Sequence, residues 1–167
     1  LLSATGDYIG FVDPDDFVSP DMYCRLLEAA QRCGASVSVL RRHSIFPALP
    51  SSGQEGGASL CGRVAVAHLL QLRYPTSVWA HLYAREALQD IKFDIRIGLF
   101  EDLAFNFEVL KRVDRVALVE GDLYHYLPGA AGANLAPLNE KHLSSLLACE
   151  ILRGTVQDES LPLSQEI

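Results

Sequence analysis

Tyr8-Ile9-Gly10-Phe11-Val12-Asp13-Pro14-Asp15-Asp16-Phe17 is an apolar, β-prone run that ends in three carboxylates within four positions. Its aromatic and β-branched residues read as a buried strand over residues 8–12. Like charges this close repel, and each carboxylate brought toward a sheet costs desolvation. A positive partner is therefore expected at the end of the strand. A hard divalent cation, Mg²⁺ or Mn²⁺, prefers carboxylate oxygens and is the natural candidate.

Downstream, Ser19-Pro20-Asp21 reads as a helix start, with Ser19 as N-cap and Pro20 in the first helical position. Met22, Tyr23, Leu26, Leu27, Ala30 and Cys33 recur at helical spacing and predict one buried face. Gly34 is placed to end that helix in the left-handed conformation. Ser36–Leu40 reads as a second strand, so the order strand, helix, strand predicts a βαβ unit and a parallel sheet. Ser59 is expected to cap a helix to about Leu72. Val78–Tyr83 is apolar and aromatic, and a short helix follows over residues 85–89. Glu101–Lys111 reads as an amphipathic helix with Leu103, Phe107 and Leu110 on one side. Val116–Val119 and Leu123–Leu127 read as short strands, and Asn139 as the cap of a last helix to about Arg153. Residues 44–58 and 128–137 have loop composition. Residues 1–153 are read as one unit and 154–167 as a polar tail.

The 167 residues suit one domain, and at 49% apolar they can fill a core. A formal charge of −7 argues against a nucleic-acid-binding surface. The four cysteines, Cys24, Cys33, Cys61 and Cys149, contain no C-x-x-C pair. On one helix Cys24 and Cys33 would lie roughly 13 Å apart along the axis, too far to bridge. A reduced, cytosolic compartment is expected, and no signal peptide or spanning segment is visible.

The acidic run fits an EF-hand calcium loop badly. With Asp13 first, Val18 stands at the glycine position and Cys24 at the bidentate glutamate position. An aspartyl-phosphate phosphatase also places D-x-D after an apolar strand, but Asp16-Phe17 replaces the small Gly-Thr tail. A D-x-D element of a nucleotide-sugar transferase and a solvated acidic turn are the remaining readings. Two later stretches bear on the choice: Phe93-Asp94-Ile95-Arg96-Ile97-Gly98-Leu99-Phe100-Glu101-Asp102-Leu103 and Leu123-Tyr124-His125-Tyr126. With Ala4–Asp16, this ordered set resembles the family-2 inverting glycosyltransferases of GT-A fold, over roughly residues 4–127. It is most similar to the bacterial members that build capsule, exopolysaccharide and lipopolysaccharide chains.

The resemblance implies an α/β chain with part of a GT-A (nucleotide-diphospho-sugar transferase, Rossmann-like) fold, a parallel-rich sheet flanked by helices. It implies that Asp13 and Asp15 form the D-x-D. Asp15 would bind Mn²⁺ or Mg²⁺ directly, and Asp13 would face the ribose or a metal-bound water. Asp16 would support the loop on the donor side. Asp102 would be the general base, with Glu101 as the alternative. Arg96 would contact a donor phosphate, and His125 the metal or a phosphate. Trp79 would line the acceptor pocket, although a core role for both Trp79 and His125 is an open alternative. The implied partners are a nucleoside-diphosphate sugar and a glycan acceptor. A homodimer and peripheral association with the inner face of the membrane are further expectations.

Three departures qualify this. The family's P-x-Y-N and D-D-G-S segments do not precede Leu1, so the chain is read as a C-terminal portion whose uncovered strand edges favour self-association. Trp79-Ala80-His81-Leu82-Tyr83 carries His81 where the family usually has lysine. No basic residue follows Tyr126 directly. A non-catalytic glycosyltransferase-like interaction module is the competing expectation.

Overall fold

The computed structural model describes residues 3–41, 58–127 and 140–158. The predicted loops over 44–57 and 128–137 and the cap at Asn139 lie outside them. Three strands start the fold's frame: β1 (Tyr8–Gly10), the two-residue β2 (Phe17–Val18) and, after helix α1 (Met22–Cys33), β3 (Val37–Leu40). Then follow β4 (Ser59–Cys61), α2 (Gly62–Leu70), β5 (His81–Ala84), α3 (Glu101–Leu110), β6 (Arg115–Val119), β7 (Tyr124–His125) and α4 (Glu140–Asp158). Single 3₁₀ turns at Val78–Ala80 and Arg85–Leu88 flank β5.

The main sheet has the order β1-β5-β3-β6-β4, and β2 pairs with β7 in a separate ribbon. The sheet is mixed rather than parallel-rich: β3 pairs parallel with β6, whereas β1 with β5, β3 with β5, and β4 with β6 are antiparallel. The expected βαβ unit is nonetheless present. Strands β1 and β3 run in the same direction, with β5 threaded antiparallel between them. Strand β3 is buried at all four residues, as its place between β5 and β6 requires. Strand β1 is only half-buried, because among the described residues it forms the sheet edge.

Helix α1 buries Met22, Leu26 and Ala30 of the predicted face, together with Ala29, while Tyr23, Leu27 and Cys33 are half-buried at its margin. Gly34 sits at φ 59° and closes the helix: its N–H bonds Gln31 O at 3.2 Å, and that of Ala35 bonds Ala30 O at 2.8 Å. The start differs from expectation. Asp21, not Ser19, is the N-cap, because the Ser19 hydroxyl is engaged by His125 at 3.1 Å.

The expected helix from Ser59 is instead strand β4 followed by α2. The backbone of residues 58–61 is taken up by β6, including a Leu118 N–H to Ala58 O bond of 2.8 Å. Helix α2 begins only at Gly62, where its N–H donates to Asp114 O at 3.0 Å. A Cβ at Gly62 would stand 1.9 Å from Val113 O and 2.9 Å from Leu110 O, both backbone atoms that cannot rotate away. Gly62→Ala is thus expected to destabilise the fold by about 3 kcal/mol in denaturant unfolding, as overpacking against fixed backbone does.

Helix α3 is not the simple amphipathic helix expected. It buries Ala104, Phe105, Asn106, Phe107, Val109 and Leu110, because α2 and α4 both pack on it. The last helix runs to Asp158, beyond the expected end near Arg153. Cys24 and Cys33 share α1 as expected, and none of the four cysteines is in a disulfide. Among the described residues no helix is long and apolar enough to cross a membrane.

Candidate functional site

The acidic residues lie on the turn that joins β1 to β2. Asp16 N–H bonds Asp13 O at 3.1 Å, which closes the turn. Asp16 is then fully used: its Oδ2 accepts the Tyr124 hydroxyl at 2.7 Å and its Oδ1 the Leu127 N–H at 2.8 Å. The same Tyr124 oxygen accepts the Asp13 N–H at 3.1 Å. Tyr124 comes from the small ribbon with β2, which brings the L-Y-x-Y motif onto the acidic turn. Burial, then the neighbouring Asp16 and Asp13 carboxylates, raise the Tyr124 phenol above its ordinary value, so it stays protonated and donates.

Asp13 and Asp15 are exposed, and among the described residues their carboxylates have no hydrogen-bond or ion-pair partner. Desolvation first, then the charges of Asp16 and Asp15, hold the Asp13 carboxyl above the usual aspartate range. The like-charge share of this shift is what a cation would relieve. Among the described residues no group of three or more His, Cys, Asp or Glu converges on a metal position. A protein cage is therefore absent there, and a pair of carboxylates is what remains. That donor set suits Mg²⁺ or Mn²⁺ of the kind completed by water and substrate phosphates.

His125 has a different occupation from the metal or phosphate ligation expected of it. Its Nε2 meets Ser19 Oγ at 3.1 Å, and its ring stacks on Phe17 with centroids 4.7 Å apart. Trp79 is buried and stacks on Tyr124, with centroids 4.0 Å apart and planes 14° apart. It belongs to the core and supports the acidic turn from below rather than presenting a face to solvent.

The Glu101-Asp102 pair opens α3. Phe100, its N-cap, is held at φ 68°, a left-handed conformation costly for a side chain with a Cβ. Asp102 is half-buried, and its Oδ2 accepts the Val78 N–H at 3.1 Å. Burial is the largest cause that pushes its carboxyl up to about 6; the Val78 bond opposes this, while the charges of Glu101 and Asp13 add to it. Asp102 thus senses the charge of Asp13, 89 positions away in sequence. Glu101 is half-buried on the same turn.

Arg96 sits away from these groups in its bonding: it forks onto Asp94, with Nε to Oδ1 at 2.9 Å and Nη2 to Oδ2 at 2.6 Å. Arg96 holds the Asp94 carboxyl down to about 2. His81 is wholly buried, and burial pushes its ring down to about 4. Its Nδ1 donates to Ser77 O at 2.9 Å; burial keeps the ring neutral, so it brings no positive charge where the resemblance expects lysine.

Two residues went unassigned in the sequence reading. Tyr124 was visible only as part of L-Y-x-Y. Asn106, one turn after Asp102, gave no signal beyond an amide inside an apolar helix.

The model of the family described as Glycosyl transferase family 2 matches residues 1–113. An uncharacterized glycosyltransferase, EpsJ of Bacillus subtilis (strain 168), is 34% identical over 136 residues, which is 75% of this chain and 39% of that protein. The solved structure of S. aureus TarS 1–349 in complex with UDP-GlcNAc superposes with a TM-score of 0.66 at 14% identity, over 90% of this chain and 44% of that one. TarS 1–349 in complex with UDP gives 0.57 at 16% identity, over 93% and 49%. The chain thus spans less than half the length of these relatives. The superposition shows a shared GT-A-type α/β fold, and with the family match across the acidic turn and the Glu101-Asp102 pair, the chain belongs to glycosyl transferase family 2.

Proposed function

We propose that the protein transfers a sugar from a nucleoside-diphosphate donor to a surface-polysaccharide acceptor, with inversion and with the aid of a divalent metal. The observation that carries this is the placement of two unpartnered carboxylates, Asp13 and Asp15, on one turn, with Asp13 acting electrostatically on the half-buried Asp102, whose carboxyl is pushed up to about 6. The TarS structures hold UDP-GlcNAc and UDP, which supports a nucleotide sugar as the ligand class.

In this reading Asp15, with Asp13, would hold Mn²⁺ or Mg²⁺, which when bound would supply positive charge against the donor diphosphate. Asp16, bonded to Tyr124, fixes the turn on the donor side. Asp102 takes the proton from the acceptor hydroxyl as that oxygen forms its bond to the anomeric carbon. The nucleoside diphosphate departs from the opposite face with the electrons of the broken bond, so configuration inverts. A carboxyl near 6 is ionised at neutral pH yet basic enough for the task.

Neutral, buried His81 favours one competing reading, a non-catalytic module, since no cation replaces the expected lysine. Calorimetry separates the two. A transferase binds nucleoside diphosphate more tightly with Mn²⁺ than with chelator, whereas a scaffold shows no difference. Family membership leaves the phosphatase reading without support.

The position of β1 at the sheet edge among the described residues also makes a second copy of the chain a fitting partner, because its outer backbone groups can pair. Light scattering is expected to read a mass above the monomer's at high concentration; a monomer there overturns this.

A further inference from the structure

Among the described residues three polar side chains are wholly buried: Ser38, His81 and Asn106. Ser38 Oγ and His81 Nε2 have no partner, whereas Asn106 uses both ends of its amide. Its Oδ1 accepts the Tyr83 hydroxyl at 2.5 Å, and its Nδ2 donates to Thr76 O at 2.7 Å. Tyr83 belongs to β5, inside the main sheet, and is itself wholly buried.

Asn106 follows Asp102 by one helical turn, so both side chains leave α3 on the same side. They grip the same short segment: Asn106 holds Thr76 O, and Asp102 accepts from Val78 N–H. The next residue, Trp79, stacks on Tyr124, whose hydroxyl ties Asp13 and Asp16. Residues 76–79 therefore connect the base-bearing helix to the acidic turn, and Asn106 is the bolt that fixes them to α3 and the sheet. Only an amide meets both demands. A carboxylate would face the Thr76 carbonyl with a second acceptor, and an apolar side chain would strand the Tyr83 hydroxyl and Thr76 O without partners.

We propose that Asn106 is a positioning residue for the transfer reaction, acting through segment 76–79 to hold Asp102 in line with the acceptor hydroxyl. This rests on the reading of Asp102 as the base. Small misplacements of a catalytic group cost on the order of 10²-fold, so Asn106→Ala should lower kcat about 10²-fold while the KM for donor stays within about twofold.

The test is a double-mutant cycle on the whole protein that carries this chain, assayed with donor, acceptor and Mn²⁺. Asn106→Ala, Asp102→Asn and the double variant are compared. If Asn106 works through Asp102, the double variant is no slower than Asp102→Asn alone. If the two losses multiply, or if Asn106→Ala keeps the wild-type kcat, the proposal is overturned. Tyr83→Phe, which removes only the hydroxyl given to Asn106, decides the matter should Asn106→Ala not fold: its kcat loss should also vanish in the Asp102→Asn background, and a multiplying loss or none overturns the proposal. A purely structural role would lower the melting temperature in both backgrounds and leave the rate effects multiplicative. The two readings fail separately. Wild-type turnover by Asp102→Asn removes the base assignment and this proposal with it, whereas a slow Asp102→Asn beside a fast Asn106→Ala removes this proposal alone.

Discussion

Asp102→Asn is expected to lower turnover about a thousandfold and, at the same time, to raise the melting temperature at neutral pH. The first effect follows from removal of a general base, which is worth about 10²–10⁴-fold. Asparagine keeps an oxygen for the Val78 N–H, so the local geometry survives and only the basicity is lost. The wild-type rate should climb as pH rises through about 6, where Asp102 ionises, and the variant should lack that limb.

The second effect has the opposite sign for the same physical reason. The folded-state carboxyl lies near 6 against an ordinary 3.8, so the fold favours its protonated form. Its contribution to stability is complete below pH 3.8 and is lost as pH rises through about 6. The difference corresponds to about 2–3 kcal/mol of strain at neutral pH, which asparagine does not carry. A pH–rate profile together with thermal unfolding between pH 4 and 8 checks both halves. An unchanged rate, or a variant that melts lower at neutral pH, would count against Asp102 as a strained base.

Asp15→Ala should lower kcat/KM about a thousandfold and abolish the gain in nucleoside diphosphate affinity on adding Mn²⁺. A metal that stabilises the departing charge is worth several kcal/mol, and Asp15 is an exposed carboxylate with no hydrogen-bond or ion-pair partner among the described residues. Because it is exposed, its loss should leave unfolding within about 0.5 kcal/mol of wild type. Metal-dependent calorimetry on the variant separates this from unfolding; a retained Mn²⁺ effect would move the metal role elsewhere.

What the sequence discloses depends on how local the cause is. The Gly34 terminus and the buried stripe of α1 arise within one helix, so periodicity and a left-handed glycine suffice to read them. The acidic turn is legible for the same reason, since its charge crowding is contiguous. Ser19 looked like a helix cap because nothing nearby competes for its hydroxyl; the competitor, His125, lies 106 positions away. The two-residue strands β2 and β7 are too short to show a period, and β4 hides behind Ser59's cap-like identity. Tyr124 and Asn106 escaped because their partners, Asp16 and Tyr83, are joined to them only by the folded topology. Trp79 and His125 show the converse, where an aromatic or imidazole that looked like a ligand group is spent on packing.

The bond from Val78 N–H to Asp102 has one more result. It occupies Oδ2, and among the described residues Oδ1 accepts no hydrogen bond. A carboxylate pinned at one oxygen by main chain keeps a fixed orientation and leaves its other oxygen open. In the proposed reaction, choice among the several hydroxyls of a sugar ring would then rest on the orientation of one peptide group, not on how far a flexible side chain can swing.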